Sequence, residues 1–381
     1  MKKCVLLFFL FTSIISFSQD SLYARLLIKK LTSQEFYGRG YLNNGLDKAA
    51  KYISSELKRL KAEPLFATGY FQWFDFDVNT FPEKLNVKIN GKLLKPGIDF
   101  IPNPESGSVK GKYSLTKKDS TTFITQNSPI PIMVSLKRKL TFSVATNSAP
   151  VCGIELLNTN QYKDISSIDL NVESKVLTKY INKNVCACIN GTQNNDTLVV
   201  FTAHYDHLGG IGKKTFFPGA NDNASGVSML LNLVKHYAAN PPKYKTLFVF
   251  FAGEEAGLLG SKYFVENKTL DLSKIKFLVN LDLLGTGEDG IMVVNATEYK
   301  TQFEKLKKVN DEYHFLKEIK QRGKARNSDH YWFSEKGVPC FFIYTLGGIK
   351  AYHDVFDVEK TLPLSSYTNV FRLLTRFVKE L

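Results

Sequence analysis

The chain has 381 residues, of which 44% are hydrophobic and 23% charged, enough for more than one average domain and balanced for a soluble globular core. That composition excludes disorder, collagen and coiled coil. Lys and Arg number 50 against 36 Asp and Glu, a formal charge of +14, which raises nucleic acid or an anionic surface as a partner and makes the placement of the charges the first question.

The first residues already alter that figure. Lys2 and Lys3 precede an apolar run from Val5 to Phe17, and the run closes on Ser16-Phe17-Ser18, small residues where a signal peptidase reads. This pattern predicts a signal peptide over residues 1–18 and export to the periplasm or the medium. The run is short of the roughly 20 residues that span a bilayer, so no stable membrane anchor is expected. Cys4 precedes the run instead of ending it, which argues against a lipoprotein. Without the two lysines the charge falls to +12, from 48 basic and 36 acidic residues. Of the remaining cysteines, Cys152, Cys186, Cys188 and Cys340 form no Cys-x-x-Cys, so zinc ribbons and thioredoxin-like chemistry have no support. Cys186 and Cys188 alternate with Val185, Ala187 and Ile189, the pattern of a strand with both sulfurs on one buried face, and buried free thiols are expected rather than a disulfide.

Residues 19–80 read as the N-terminal part of a catalytic domain. Within them Leu46, Ala49, Ala50, Ile53, Leu57 and Leu60 recur at helical spacing after the turn signal Asn43-Asn44-Gly45. Residues 81–173 change texture to short β-rich runs such as Leu85 to Ile89, an Asn90-Gly91 hairpin signal, and Lys92 to Leu94, so a β-rich inserted subdomain is expected there. Residues 174–381 return to apolar strands alternating with helices. Strands are predicted at Leu198 to Ala203, Leu247 to Ala252, Ile275 to Leu281 and Pro339 to Tyr344. One helical face is carried by Val227, Leu230, Leu231 and Val234, and the last by Val370, Leu373, Leu374, Phe377 and Leu381. The fold class this predicts is α/β, with a mixed, largely parallel central sheet flanked by helices.

The polar groups collect after these strands. Strand Leu198 to Ala203 runs into His204-Tyr205-Asp206-His207, and Gly219-Ala220-Asn221-Asp222 precedes a helix. Strand Leu247 to Ala252 runs into Gly253-Glu254-Glu255, strand Ile275 to Leu281 ends at Asp282, and Tyr352-His353-Asp354 lies in the last long loop. Ligands of open α/β sheets bind at the carboxyl ends of the strands, so these loops can share one crevice. Imidazoles and carboxylates suit zinc with a position left open for water. Two Zn²⁺ ions are balanced by three carboxylates and a bridging hydroxide, leaving a fourth carboxylate for proton transfer. A solvated acidic pair does not ordinarily follow a fully apolar strand, which separates Glu254-Glu255 from a plain charged surface.

With these motifs the chain resembles the co-catalytic zinc exopeptidases, the family of bacterial leucyl aminopeptidases, aminopeptidase Y and glutamate carboxypeptidase. The similarity is carried by Ala203 to Gly209, Gly219 to Gly226, Gly253 to Ser261, Asn280-Leu281-Asp282, Ser328-Asp329-His330 and Tyr352-His353, and spans roughly Leu31 to Tyr70 and Asn184 to the C-terminus. The resemblance implies that His204 and Asp282 bind one zinc, Glu255 and His353 the other, and that Asp222 bridges them. It implies that Glu254 is the general base, that Asp206 orients an imidazole from behind, and that Asp329 and Asp357 support the centre. It further implies hydrolysis of a peptide substrate, most simply at its N-terminus, by a metal-bridging hydroxide. Some relatives carry a tyrosine three residues before Ser-Asp-His as an oxyanion donor; this chain has Ala325 there, so the donor is unassigned. Two alternatives stand beside this reading: a glutaminyl cyclase-like enzyme with one zinc, and a non-catalytic binding module on the same fold. No RNA-recognition signature, zinc finger or basic helix is present, and nucleic acid is not expected as a partner. Residue pattern alone leaves oligomeric state, side-chain preference and the choice among aminopeptidase, carboxypeptidase and dipeptidase open.

Overall fold

The computed structural model describes residues 21–159 and 164–381; the expected signal peptide over 1–18, with Cys4, lies outside the described residues. The described chain begins with α1 (Ser21–Leu31), which buries Ala24, Leu27, Ile28 and Leu31 at three- and four-residue spacing. Helix α2 (Gly45–Arg59) starts where the Asn-Asn-Gly turn predicts and buries the expected stripe from Leu46 to Leu57. The short β1 (Glu63–Pro64) and the ten-residue β2 (Phe71–Thr80) follow.

The chain then builds a second sheet from β3 (Asn86–Ile89), β4 (Lys92–Leu93), β5 (Phe100–Pro102), β6 (Val109–Lys117), β7 (Thr122–Thr125), β8 (Ile132–Lys137), β9 (Cys152–Leu157) and β10 (Ser167–Val172). Their spatial order is β4-β3-β10-β6-β7-β8-β9-β5. Asn90 and Gly91 take positive φ values of 49° and 81° in the β3–β4 turn, the backbone a tight hairpin requires and the reason for those residue types. This sheet has its own apolar core, which includes Val87, Phe100, Phe142 and Leu156 and also takes in Leu208, Ile211 and Phe217 from further along the chain.

Strand β11 (Lys175–Ile189) returns antiparallel to β2. After it come β12 (Leu198–His204), the small hairpin β13 (Gly210–Ile211) and β14 (Thr215–Phe216), α3 (Gly226–Ala239), β15 (Lys245–Phe251), α4 (Leu259–Glu266) and β16 (Ile275–Leu281). The remainder is β17 (Ile291–Val294), α5 (Lys300–Tyr313), β18 (Ile319–Arg322), α6 (His330–Glu335), β19 (Cys340–Thr345) and α7 (Tyr367–Phe377). The main sheet has the order β1-β11-β15-β12-β16-β19-β17-β18, with β2 also on β11. Its centre, β15-β12-β16-β19, is parallel, and antiparallel pairs with β11 and β17 flank it. The fold is therefore α/β with a mixed, largely parallel sheet, as the alternation of elements predicts.

Both faces of the central strands are covered, which is why their sequences are continuous apolar runs. Val199, Phe201, Phe248, Phe250, Phe277 and Val279 pack in one cluster with residues of α1, α2, α3 and α7. Val200, Leu247, Val249, Phe251 and Leu278 face the other way, against Phe264 of α4 and Phe333 of α6. Cys186 and Cys188 lie together on this second face, and Cys152, Cys186, Cys188 and Cys340 are all buried free thiols. Strands β17 and β18 escaped the sequence reading because each is four residues long, and the edge strand β18 is also mostly exposed. Among the described residues no helix is long and apolar enough to cross a membrane.

Phe250 is fully buried at the centre of the sheet. Phe250→Ala is expected to cost about 3–5 kcal/mol through lost burial and an unfilled cavity, read as a lower urea midpoint with an unchanged m-value.

Candidate metal centre

The four adjacent parallel strands end on one edge, and the motif residues follow from that. His204 closes β12, Glu254 and Glu255 come three and four residues after β15, Asp282 follows β16 directly, and the loop after β19 carries His353. Asp222 enters from the irregular turn before α3. That turn depends on Gly219, whose φ is +62° and whose added Cβ would lie 2.1 Å from the Asp222 carbonyl oxygen and 2.4 Å from the His207 ring.

The side chains meet as two joined halves. His204 Nε2 is 3.3 Å from Asp222 Oδ1 and 3.4 Å from Asp282 Oδ2. His353 Nε2 is 3.1 Å from the other Asp222 oxygen, Oδ2, and 3.2 Å from Glu255 Oε2. Donor atoms of His204, Asp222 and Glu255 all lie within 4.8 Å of one another, as do those of His204, Glu254 and Asp282. Zinc–ligand bonds of about 2.0–2.1 Å at tetrahedral angles set two donors about 3.3 Å apart, so the donor spacing fits zinc. Asp282 Oδ1 is buried without a hydrogen-bond donor among the described residues, a cost that a cation would remove. These residues therefore fit a metal in kind, spacing and unsatisfied capacity.

Surrounding groups aim the ligands. His204 Nδ1 pairs with the Asp206 carbonyl oxygen at 3.2 Å, while the nearer Asp206 carboxylate oxygen is 3.7 Å away. The Asp206 carboxylate instead accepts the main-chain N–H groups of Glu254 and Glu255 at 3.2 and 3.3 Å, so it ties the Glu254–Glu255 turn to the His204 loop. Asp357 accepts from the main-chain N–H of Asn221 and of Asp222, each at about 3.0 Å, and steadies the central ligand. Asp329 is fully buried, and burial pushes its carboxyl up to about 7, with Asp206 and Asp282 adding to the rise and His204 and Ser261 opposing it. Ser328, its neighbour, donates to Asp282 Oδ2 at 3.2 Å and accepts from Asn280 at 2.8 Å.

Three contributors were not read from the sequence as part of the site. His207 places Nδ1 2.6 Å from Glu255 Oε1, so one carboxylate oxygen is held by the protein and the other faces His353. Arg39, fully buried, donates to the carbonyl oxygens of Tyr205, Pro218, Gly219, Asp222 and Leu31, binding the two ligand loops to each other. Burial lowers its pKa to about 10 against the pull of Asp222 and Asp357, so it is charged at neutral pH. Tyr352 stacks on His353 with ring centroids 4.0 Å apart and lines the cavity. A repeated His in His204-Tyr205-Asp206-His207 was a usable signal for His207; Arg39 had none, since its partners are carbonyl groups of any residue type.

Charge in this cluster is compensated pairwise. Burial opposes protonation of His353, yet Glu255 and Asp222 raise it to about 11. Burial likewise favours a neutral Glu255, and His353 and His207 override it, holding that carboxyl at about 2. Glu254 behaves in the opposite way: burial and the charges of Glu255, Asp329 and Asp282 hold it well above the usual carboxylate range against His204. It is the acid of the group suited to carry a proton. The centre opens into a cavity of about 430 Å³ whose walls include Leu258, Leu283, Phe342 and Tyr344, with Arg326 and Asn327 also at its lining.

A mixed α/β sheet with a histidine–carboxylate cluster at its carboxyl edge defines the class as an α/β protein with a candidate metal site at the ends of its parallel strands. The chain belongs to peptidase family M28, whose sequence profile matches residues 184–378. Aminopeptidase YwaD of Bacillus subtilis (strain 168) is 40% identical over 92 residues, which are 23% of this chain and 18% of that protein. The chain thus spans less than a fifth of that relative's length. The solved structure of BSAP, a zinc aminopeptidase from Bacillus subtilis, superposes with a TM-score of 0.69 over 95% of both chains at 18% identity. Glutaminyl cyclase from Bacteroides thetaiotaomicron superposes at 0.55 with 13% identity, over 95% of this chain and 98% of that one. At those identities the two superpositions speak for the fold.

Two outcomes follow from the ligand geometry. His207→Ala should weaken metal binding about 10–100-fold by releasing Glu255 Oε1, measured by competition with a chromophoric chelator. Because His353 holds its proton up to about 11 in the metal-free protein, metal uptake near pH 7 should release that proton and affinity should rise with pH. Titration calorimetry in buffers of different ionisation enthalpy reads the proton count.

Proposed function

We propose that the chain is an exported zinc exopeptidase, an aminopeptidase that removes N-terminal residues from peptides with two zinc ions at its centre. The observation that carries this reading is the splitting of Asp222, one carboxylate oxygen toward His204 and the other toward His353. A carboxylate shared in this way would be able to hold two cations. His204 and Asp282 would complete one half, and His353 and Glu255 the other. The names of the relatives, an aminopeptidase and a zinc aminopeptidase, agree with it, and the sequence of residues 1–18 supports export to the periplasm or medium.

Bound zinc would supply Lewis acidity, polarising the scissile carbonyl and acidifying water. The protein does the rest. Glu254, partly open to the cavity and held above its ordinary pKa, accepts a proton from the attacking water and delivers it to the departing amine. The Tyr352 hydroxyl is available to donate to the oxygen that gains charge on the carbonyl.

Both histidine halves support this reading over the one-zinc cyclase, and Glu254 beside them supports it over a binding module. Metal analysis should find close to two zincs per chain; one would favour the cyclase and none the binding module. Glu254→Gln should keep the metal and lose about 10²–10⁴ in kcat, whereas Asp222→Ala should lose both. Full peptidase activity in Glu254→Gln would refute the role. On a panel of free and N-blocked aminoacyl substrates the free ones should be cleaved; cleavage of blocked substrates alone would overturn the aminopeptidase assignment.

A further inference from the structure

The inserted β unit reaches the metal centre directly. The segment after β8 leaves its sheet at Arg138 and passes the loop that carries His353. There the main chain of Phe142 makes a two-way bridge: its N–H donates to the His353 carbonyl oxygen at 2.9 Å, and its carbonyl oxygen lies 2.9 Å from His353 Nδ1. A carbonyl oxygen can only accept, so Nδ1 carries a hydrogen, and Nε2, toward Asp222 and Glu255, is the ring nitrogen that would give up its proton to a cation. The insertion thus selects the tautomer of a residue that belongs to the catalytic sheet.

Lys139 secures the same loop from outside. Its Nζ is 3.1 Å from Asp354 Oδ2 and 2.8 Å from the Lys350 carbonyl oxygen, and lies 6.0 Å from the centre of the Tyr352 ring. Asp354 in turn accepts the main-chain N–H groups of Tyr352 at 3.3 Å and Phe356 at 2.9 Å, wrapping the turn around His353, whose own φ is +54°. A non-glycine residue in that conformation needs its surroundings to hold it. The anchor is firm, because Phe142 is buried in the insertion's core and stacks on Phe217 with centroids 4.9 Å apart.

We propose that the insertion is part of the metal centre, with Lys139 and the Phe142 main chain as positioning groups that hold His353 in its ligating pose, so that occupancy of the His353–Glu255 half depends on them. This rests on the two-metal reading above. Among the described residues the His204–Asp282 half has no such tie, and it is independent of Lys139.

Zinc titration of the purified chain against a chromophoric chelator tests it, together with thermal unfolding of the metal-free proteins. The unsubstituted chain should bind two ions. Lys139→Met should bind one with unchanged affinity and the other about 10–100-fold more weakly, with little change in Tm, and Lys139→Arg should restore the second. Asp354→Asn should reproduce the defect, and the double variant should be no worse than either single one, since both remove the same tie. Should Lys139→Met fail to fold, Asp354→Asn carries the same comparison. Two ions bound with unchanged affinities in these variants would overturn the inference, as would equal weakening of both. Fewer than two ions in the unsubstituted chain would instead overturn the two-metal reading itself.

Discussion

Buried carboxylates repel, and the carboxyl edge of the main sheet is organised around compensating that repulsion. Asp206, Asp222, Asp282, Asp329 and Asp357 are all buried, with Glu254 and Glu255 beside them. Left uncompensated, such a group would take up protons and lose its capacity to bind cations. Three devices keep it usable. His204, His207 and His353 stand between the acids, Arg39 supplies a permanent buried charge from behind, and main-chain N–H groups of Asn221, Asp222, Glu254 and Glu255 point at carboxylates. A bound cation would complete the same balance, which makes metal binding and local stability one problem.

The sheet makes this concentration possible. Parallel strands β12, β15, β16 and β19 deliver chain ends to one edge without spending surface on turns, and the aromatic layers on both faces keep those ends still. Rigidity matters because ligand spacing of about 3.3 Å has to survive without the ion. Arg39 and Asp357 lie outside these strands, yet they bind the Tyr205 and Gly219–Asp222 segments together. The insertion then adds the last constraint through Phe142 and Lys139, and it shares its apolar core with Leu208, Ile211 and Phe217, between the His204 and Asp222 motifs.

Much of this was legible in residue order. Strands of alternating or continuous apolar residues announced β12, β15, β16 and β19 because their side chains must be covered on both faces, and the motif residues stood where those strands end. The α2 stripe and the Asn90-Gly91 turn were equally plain, since each is enforced by local geometry. Less was legible where contact is made through the main chain. Arg39 reads only carbonyl oxygens, and Phe142 acts on His353 by its peptide group, 211 positions away in the chain. The Asp206 carboxylate was expected behind the His204 imidazole, whereas its hydrogen bonds go to the Glu254–Glu255 turn and the carbonyl oxygen serves the ring.

The amino-acid order by itself determined which residues can hold a metal, which strand ends they occupy and what class of fold carries them, because periodicity and residue chemistry are local properties. Net charge, the first number noticed, carried little, since most lysines lie at the surface. Only the tertiary structure decided how the ligands pair. That Asp222 divides its two oxygens between His204 and His353, that His207 occupies one oxygen of Glu255, and that a distant β unit sets the His353 tautomer all depend on directions in space. Such directions arise from packing between segments far apart in sequence, and no spacing along the chain encodes them.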